Sequence, residues 1–398
     1  MKDIQTILEA YQAVRSNSSA FALATVVKVE GSSYRRPGAR MLVTQDGRRF
    51  GSLSGGCLEA DVAAHAVQAV ANGSQTILRY DPNSSNGDVI LETGCKGAIE
   101  ILVEPGTNPD VARSLDFLIH LSEARKTGLI ATVVGAEHTN AFQLGDRLLA
   151  AEHGSYSGAL AHPPLAAVIV EEAAAMGTEE KTRSTSYPTA EGTVHILLER
   201  RVPPIALLLC GSGHDTLPLA RIAAALGWPV TVADPNSSAL TTERYPDAHA
   251  ILPVRPECLP AKIAIDDRTA AVFMTHNYAL DLEWFRQLLP SKIAYIGVLG
   301  PRRRWMQIQH DLTVGGHIPP DCDLARVYSP AGLDIGSETP EEIAVAIVAE
   351  IQAVMSGRAG GFLRGREAAS SGLTTGSDTL SGPTASLKRG DTCPLSAS

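Results

Sequence analysis

The stretch Leu207-Leu208-Leu209-Cys210-Gly211-Ser212-Gly213-His214-Asp215-Thr216 decides the fold of the second half of this chain. Its leucines indicate a buried strand, and the two glycines mark a tight turn that leads into a helix. Such a turn is typical of α/β domains that bind phosphate groups, because a helix N-terminus attracts anions. Thr216 stands where a dinucleotide-binding turn has its third glycine, so the pattern indicates the fold and leaves a bound dinucleotide open.

Strands and helices alternate regularly on the C-terminal side of this turn. The strands are predicted at Ile205–Leu209, Val230–Ala233, Ala270–Thr275, Ile293–Val298 and Ala325–Tyr328. A last helix begins at Thr339-Pro340-Glu341-Glu342, which has the pattern of a capping box with proline at the first helical position. This alternation predicts a Rossmann-like, doubly wound parallel sheet.

Candidate ligand-binding residues follow the predicted strands, at the edge where open α/β sheets bind ligands. They are Gly211, Gly213, His214, Asp215, Asp234, His276, Arg302 and Arg303. Asp234 is placed where an acidic residue would bind a ribose, and His214 with Asp215 lies where a pyrophosphate would meet the helix. Singly these are ordinary loop residues, whereas together they suit a phosphorylated heterocyclic ligand.

The first half contains a second distinctive turn, Gly51-Ser52-Leu53-Ser54-Gly55-Gly56-Cys57-Leu58-Glu59-Ala60. A short strand precedes it and an alanine-rich helix follows, so Cys57 is predicted at a helix N-terminus. Free backbone N–H groups and the helix dipole there would favour an anion, including the thiolate of Cys57. We therefore predict that Gly55, Gly56 and Cys57 bind a cofactor and that Cys57 contacts its metal; the alternative is a buried, inert cysteine.

Other residues of the first half add to this hypothesis. Arg35, Arg36 and Arg40 precede the turn and either bind anionic groups beside it or are solvated residues of a hairpin. Cys95, in Glu92-Thr93-Gly94-Cys95-Lys96-Gly97, is a second cysteine flanked by glycines and a candidate cofactor ligand. Two such cysteines indicate soft-ligand chemistry, such as sulfur transfer or thiolate contact with a transition metal.

The pattern predicts four segments. Residues 1–152 form a mixed α/β domain, with strands that include Ala141–Leu144, and residues 204–365 form the Rossmann-like domain. Residues 153–203 are predicted to connect them, with a strand at Ala166–Glu171. Residues 366–398 are rich in Ser, Thr and Gly and lack aromatic side chains, so they are predicted to be disordered.

Composition excludes several classes of protein. The 398 residues carry a formal net charge of −9, which argues against nucleic acid as the partner. We find no apolar run long enough to span a bilayer and no apolar signal-peptide segment at the N-terminus, so we expect a cytoplasmic protein without membrane contact. The six cysteines contain no C-x-x-C pair, which fits a reducing compartment and offers no zinc site.

At these motifs the chain resembles the XdhC/CoxI family of accessory proteins of xanthine dehydrogenase and related molybdenum hydroxylases. The resemblance extends over residues 1 to about 365 and rests on four segments. These are the Gly51–Glu59 turn, the Cys210–Asp215 turn, Tyr295-Ile296-Gly297-Val298-Leu299-Gly300-Pro301-Arg302-Arg303-Arg304, and Gly332-Leu333-Asp334-Ile335-Gly336-Ser337-Glu338-Thr339-Pro340-Glu341-Glu342-Ile343-Ala344. Where the family usually has Gly-Cys-Gly-Gly, this chain has Gly94-Cys95-Lys96-Gly97.

The resemblance implies a cytoplasmic maturation factor more than a stand-alone enzyme. Such a protein would bind molybdenum cofactor, in its mononucleotide or dinucleotide form, support its sulfuration, and insert it into an apo molybdenum hydroxylase. A cysteine desulfurase is the other implied partner, and a homodimer is compatible with the sequence.

Two alternatives belong to other functional classes. Gly211, Gly213 and Asp234 also fit an NAD(P)-dependent oxidoreductase, although no acid–base motif for a substrate is recognisable. The other alternative is an enzyme with Cys57 as nucleophile and His214 or His276 as base. For this last alternative only the geometry of the folded chain can decide, because these histidines are far from Cys57 in sequence.

Overall fold

The computed structural model describes residues 2–31, 34–81, 97–139, 141–152, 156–177, 180–190, 192–316 and 320–365. Its contacts divide the chain into two compact units. Unit 1 comprises residues 1–206 and 223–229, and unit 2 comprises residues 207–222 and everything from residue 230 onward. Within the described residues, no helix combines the length and apolar character needed to cross a membrane.

Unit 1 contains the same series of elements twice. The first series is α1 (Lys2–Ser16), β1 (Phe21–Glu30), β2 (Arg40–Thr44), β3 (Arg49–Gly51), α2 (Glu59–Asn72), β4 (Thr76–Tyr80) and β5 (Ala98–Pro105). The second is α3 (Pro109–Glu123), β6 (Gly128–Glu137), β7 (Arg147–Ala151), β8 (Tyr156–Ser157), α4 (Leu165–Ala174), β9 (Thr182–Pro188) and β10 (Thr193–Arg201). Both series run helix, three strands, helix, two strands.

The two series also form sheets of the same topology. The strand orders are β3-β2-β1-β5-β4 and β8-β7-β6-β10-β9, and all neighbours are antiparallel. Even the irregularities correspond, since the register of β1 against β5 shifts at Val27 and that of β6 against β10 shifts at Val134. We conclude that unit 1 is an internal duplication.

Apolar side chains join the two sheets. Val27 and Leu102 of the first sheet form one cluster with Val134 and Leu197 of the second. Helices α1 and α3 share a further core with residues of both sheets, and α2 and α4 each pack on their own sheet. Removing these apolar surfaces from water is the main favourable contribution to folding here.

Two buried ion pairs cross between the halves. The Arg40 guanidinium of β2 donates to both carboxylate oxygens of Glu199 on β10, at 2.9 and 2.5 Å. Arg147 of β7 makes the corresponding bidentate pair with Glu104 on β5, with 2.9 Å to Oε1. All four side chains are at least 98% buried, so each half supplies the counterion for a buried charge of the other half.

From residue 206 onward, the five predicted strands are present. A sixth strand at Ala250–Pro253 was not predicted, and short 3-10 turns, Ser237–Ala239 and Pro256–Ala261, stand on either side of it where a helix was expected. The strands are β11 (Ala206–Cys210), β12 (Val230–Asp234), β13 (Ala250–Pro253), β14 (Thr269–Phe273), β15 (Tyr295–Val298) and β16 (Val327–Tyr328). The helices are α5 (Thr216–Ala225), α6 (Tyr278–Leu288), α7 (Arg302–Val314), α8 (Asp321–Leu324) and α9 (Pro340–Met355). The sheet has the order β13-β12-β11-β14-β15-β16, and its strands are parallel.

This architecture confirms the predicted fold class, a mixed α/β region followed by a doubly wound parallel sheet. The capping box of α9 is also confirmed: the Thr339 hydroxyl accepts from the Glu342 amide, and the Glu342 carboxylate accepts from the Thr339 amide at 3.0 Å. A switch in connection direction lies between β11 and β14, which is where open sheets of this type bind ligands.

Two further element predictions are wrong. Residues 166–171 lie in the helix α4, whose Ala166, Ile169 and Ala173 face the core at helical spacing. Ala141–Leu144 is not a strand, because the Asp146 carboxylate accepts from the Gln143 amide and holds a turn.

The predicted domain boundaries and the predicted tail have different outcomes. Residues 153–203 contain β8, α4, β9 and β10, all of which belong to the second sheet or pack on it. The boundaries at 152 and 203 stay predictions. Residues 366–398 lie outside the described residues, and so does Cys95.

Candidate functional site

The turn of residues 52–58, which we call the thiol turn, carries Cys57 between β3 and α2. The Cys57 side chain is exposed, contrary to the alternative of a buried, inert cysteine. Gly56 has a φ of +114°, a conformation that side chains disfavour, and a Cβ placed there would meet nothing within 4 Å. The thiol turn therefore presents a thiol and bare backbone to open space.

A buried carboxylate holds the thiol turn in place. Glu59 accepts hydrogen bonds from the amides of Leu53 (3.1 Å), Ser54 (2.8 Å) and Leu58 (3.2 Å). Its second oxygen accepts from the Ser54 hydroxyl at 2.7 Å, and its first oxygen lies 3.1 Å from the Ser52 hydroxyl, whose one proton is directed mainly at the Ser54 carbonyl. Burial by itself would raise the pKa of Glu59, but these hydrogen bonds outweigh it and lower the pKa to about 2.

This arrangement corrects part of the sequence-based prediction. The amides of Gly56 and Leu58 are not free, since both donate to the Ser54 hydroxyl, at 3.2 and 3.3 Å. The anion bound at the start of α2 is thus the side chain of Glu59. The Cys57 thiol donates to the same hydroxyl at 3.5 Å, so its position is set by the network around Ser54.

The thiol turn provides one soft ligand. Within the part of the chain that the structure describes, no three His, Cys, Asp or Glu side chains are grouped so that they could hold a metal ion. Cys57 could therefore complete the coordination of a metal that already has other ligands. A cofactor that holds its metal through its own sulfur atoms fits this donor set.

The arginines that precede the thiol turn have different roles. Arg40 is buried in its ion pair with Glu199 and is not available to a ligand. Arg35 pairs with Asp3 at 2.5 Å, and Arg36 is exposed. Neither alternative considered for Arg40, an external anion or solvation, is therefore correct, because the fold uses its charge internally.

In unit 2, the glycine turn after β11 packs tightly on the neighbouring strand. Gly211 has a φ of +123°, and a Cβ there would lie 2.5 Å from the carbonyl oxygen of Met274. A Cβ on Gly213 would lie 2.5 Å from Oδ1 of Asp215. Gly211 is thus required by close packing against backbone, whereas a side chain at Gly213 would have to displace the Asp215 carboxylate.

The structure brings Asp215 and His276 together at the carboxyl ends of β11 and β14. Oδ2 of Asp215 lies 3.0 Å from Nε2 of His276, which has a φ of +53°, rare for a residue with a side chain. Oδ1 of Asp215 is buried and lacks a partner among the described residues. A carboxylate at this place repels a pyrophosphate and attracts a cation or a hydrogen-bond donor.

The other predicted residues of the crevice have separate surroundings. Asp234 accepts from the Ser212 hydroxyl and from the Asn236 amide, both at 2.8 Å, so part of its acceptor capacity is already used. His214, Arg302 and Arg303 are exposed, and no contact among the described residues joins them to the Asp215–His276 pair.

Several residues that shape these sites were missed by the sequence analysis. Ser54 and Glu59 were part of the quoted turn, but their role depends on the folded turn. In unit 2, Arg304 pairs with the buried Asp281 at 2.6 Å, and Asp281 also accepts from the Thr275 hydroxyl beside His276. The arginine run after Gly300 gave the only hint of this ion pair.

Comparisons with known proteins cover most of the chain. Residues 207–351 match the model of the XdhC Rossmann domain, and residues 14–81 match that of the XdhC and CoxI family. A crystal structure of a xanthine dehydrogenase from Bacillus halodurans has a TM-score of 0.68 and 26% identity, and the match covers 92% of this chain and 97% of that one.

Two curated relatives carry informative names. The chain is 32% identical over 354 residues to a probable xanthine dehydrogenase subunit of Bacillus subtilis, covering 88% of this chain and 97% of the relative. It is 39% identical over 93 residues to the "Molybdenum cofactor insertion chaperone PaoD" of Escherichia coli, covering 23% of this chain and 29% of the relative.

Proposed function

Because the chain belongs to the XdhC and CoxI family, we propose that it binds molybdenum cofactor and delivers it to an apo molybdenum hydroxylase of the xanthine dehydrogenase type. The name of the Escherichia coli relative, an insertion chaperone for this cofactor, supports the proposal. The observation that carries it is the exposed thiol of Cys57 on a turn fixed by a buried carboxylate.

The chemistry of the thiol turn fits such a cargo. The cofactor holds its metal through a dithiolene, so one thiolate from the protein would add a further ligand to a metal that is already coordinated. An exposed site on a fixed turn also allows the cargo to leave, since no protein cage must open. The protein would therefore bind the metal end of the cofactor reversibly, as delivery requires.

Further parts of the proposal concern the partners. We propose that a cysteine desulfurase supplies persulfide sulfur and a thiol reductant supplies two electrons, so that a sulfido ligand replaces an oxo ligand, which leaves as water after protonation, before insertion. On the same ground we propose a cytoplasmic location, since the partner enzymes would meet the protein there. Copurification of the chain with each partner under anaerobic conditions tests this part separately from cofactor binding.

The experiment for the central proposal compares two exposed cysteines. The protein, Cys57→Ala and the control Cys258→Ala are purified anaerobically, and molybdenum per chain is measured by mass spectrometry. We expect Cys57→Ala to lose most of its molybdenum with an unchanged circular dichroism spectrum, and the control to retain it. Full retention by Cys57→Ala, together with normal activation of apo-hydroxylase, would show the proposal to be wrong.

A second candidate is an NAD(P)-dependent oxidoreductase, which the position of Asp234 at the end of β12 favours. The carboxylate of Asp215 beside Gly213 opposes it, because a pyrophosphate there would be repelled. Calorimetric titration of the protein with NAD and NADP decides between them, and we expect no saturable binding. For the nucleophile alternative, the hydrogen-bond partner of the Cys57 thiol within unit 1 is the Ser54 hydroxyl and not a histidine.

A further inference from the structure

A cavity of about 480 Å³ opens in unit 1 beside the thiol turn. Ser52 and Tyr34 both line it. The Ser52 hydroxyl donates to the Ser54 carbonyl within the thiol turn at 2.7 Å. The ring of Tyr34 is exposed and lies 4.0 Å from the position that a Cβ on Gly55 would take. The cavity and the thiol turn are therefore neighbours with shared boundary residues.

The wall of this cavity carries a surplus of positive charge. Arg36, Arg200 and Arg201 line it, together with residues whose charges are balanced, such as Arg35 in its pair with Asp3. Arg36 and Arg200 form no ion pair or side-chain hydrogen bond with another described residue. Arginine side chains grouped around a cavity are suited to bind phosphate oxygens.

Arg201 also lines the cavity and contributes a positive charge. It pairs with Glu199, which already has a bidentate partner in Arg40, so two guanidinium groups surround one carboxylate. Burial lowers the pKa of Arg201; Glu199 opposes this, and the Arg40 charge lowers the pKa further. Arg35 and Arg201 each keep a buried Nε–H without an acceptor among the described residues.

The internal duplication shows that the fold does not require this surplus. Around the corresponding pair, Arg147 and Glu104, the Asn108 amide donates to Gln75 at 3.0 Å and contacts Glu104 at 3.5 Å, and the charged group beside Arg147 is the carboxylate of Asp146, not a further arginine. The positions that correspond to Arg200 and Arg201 hold Pro105 and Gly106. One half of unit 1 thus folds around the same ion pair without the additional arginines.

We propose that this cavity binds the phosphate group of a phosphorylated aromatic ligand, with the phosphate at Arg36, Arg200 and Arg201 and the ring against Tyr34. The inference rests on the proposed function, under which the ligand is the pterin of the cofactor. The pterin phosphate then lies in the cavity while the metal end reaches the thiol of Cys57.

The test uses the metal-free, oxidised pterin of the cofactor, with and without its phosphate, in fluorescence titrations of the full chain. We expect the phosphorylated pterin to bind the protein at least tenfold more tightly than the dephosphorylated one. Arg36→Gln and Arg200→Gln should each remove most of this preference. Arg49→Gln, an exposed arginine of unit 1 that does not line the cavity, is the matched control and should preserve it.

The outcomes separate this inference from the proposed function. Equal affinity of the wild-type protein for the two pterins, or an undiminished preference in both cavity variants, would overturn the phosphate cavity. Molybdenum retention that depends on Cys57 would nevertheless leave the proposed function intact. A preference for phosphate that persists in Cys57→Ala, and that inorganic pyrophosphate competes away, supports the cavity independently of the thiol.

Discussion

Replacing Glu59 by glutamine tests how the thiol turn is held. The pKa of Glu59 falls from its ordinary value of 4.5 to about 2, which corresponds to about 3 kcal/mol of folding free energy at neutral pH. Glutamine keeps the shape, but it loses the charge and turns an N–H₂ group toward amide and hydroxyl donors. We expect Glu59→Gln to lower the free energy of unfolding by about 2–4 kcal/mol at pH 7.

The stabilisation by the Glu59 carboxylate should be lost as the pH falls. The folded-state pKa lies below the unfolded one, so the stabilisation is complete above a pH of about 5 and disappears as the pH falls toward about 2. The stability difference between the protein and Glu59→Gln should therefore shrink when urea unfolding is repeated at pH 4 and below. Hydrogen exchange should show faster exchange of the Leu53, Ser54 and Leu58 amides in the variant.

The control for this experiment is Glu341→Gln, an exposed acidic residue in the first turn of α9, which should change stability by less than about 0.5 kcal/mol. A loss below about 1 kcal/mol for Glu59→Gln, or a loss that does not vary with pH, would refute the reasoning. Unchanged exchange of the three amides would refute it as well.

Two further predictions concern unit 1. Arg147→Met leaves the Glu104 carboxylate buried without its partner, so it should lower the free energy of unfolding in urea by about 3–5 kcal/mol. Adding Glu104→Leu should recover most of this loss, and a double variant as unstable as the single one would contradict the assignment. Gly51 has a φ of +88°, and a Cβ there would lie 2.5 Å from the Arg40 carbonyl oxygen, whereas Gly73 has a φ of +63° and open space at its Cβ position. We expect Gly73→Ala to lower the free energy of unfolding by about 1 kcal/mol and Gly51→Ala to lower the melting temperature much further. Equal losses in the two variants would count against the steric argument.

The elements that the sequence predicted well are those with local signals. The glycine turn at Gly211 and the capping box at Thr339 depend on residues within a few positions of each other, and the structure contains both. The helix α4 was misread because its Val168, Ile169 and Val170 form a short apolar run of β-branched residues, which fits a buried strand as well as a helix.

The parts that the sequence did not predict depend on distant residues. The duplication leaves a weak trace, Gly38-Ala39-Arg40-Met41-Leu42 beside Gly145-Asp146-Arg147-Leu148-Leu149, that is easily missed between unlike segments. The arginines of the cavity come from both halves, so no local pattern could unite them. In the same way, the Asp215–His276 pair forms only when β11 and β14 become neighbours.

The crossed ion pairs have a consequence for how unit 1 can be divided. Residues 1–106 alone would contain Arg40 without Glu199 and Glu104 without Arg147. Both side chains are buried in unit 1, so such a fragment would hold one positive and one negative buried charge without a counterion. A second copy of the same fragment supplies both counterparts, since Arg40 of each copy can meet Glu104 of the other. The single chain thus has the internal organisation of a symmetric dimer, in which one half keeps the Gly-Gly-Cys turn and the other has Pro163 and Pro164 in its place.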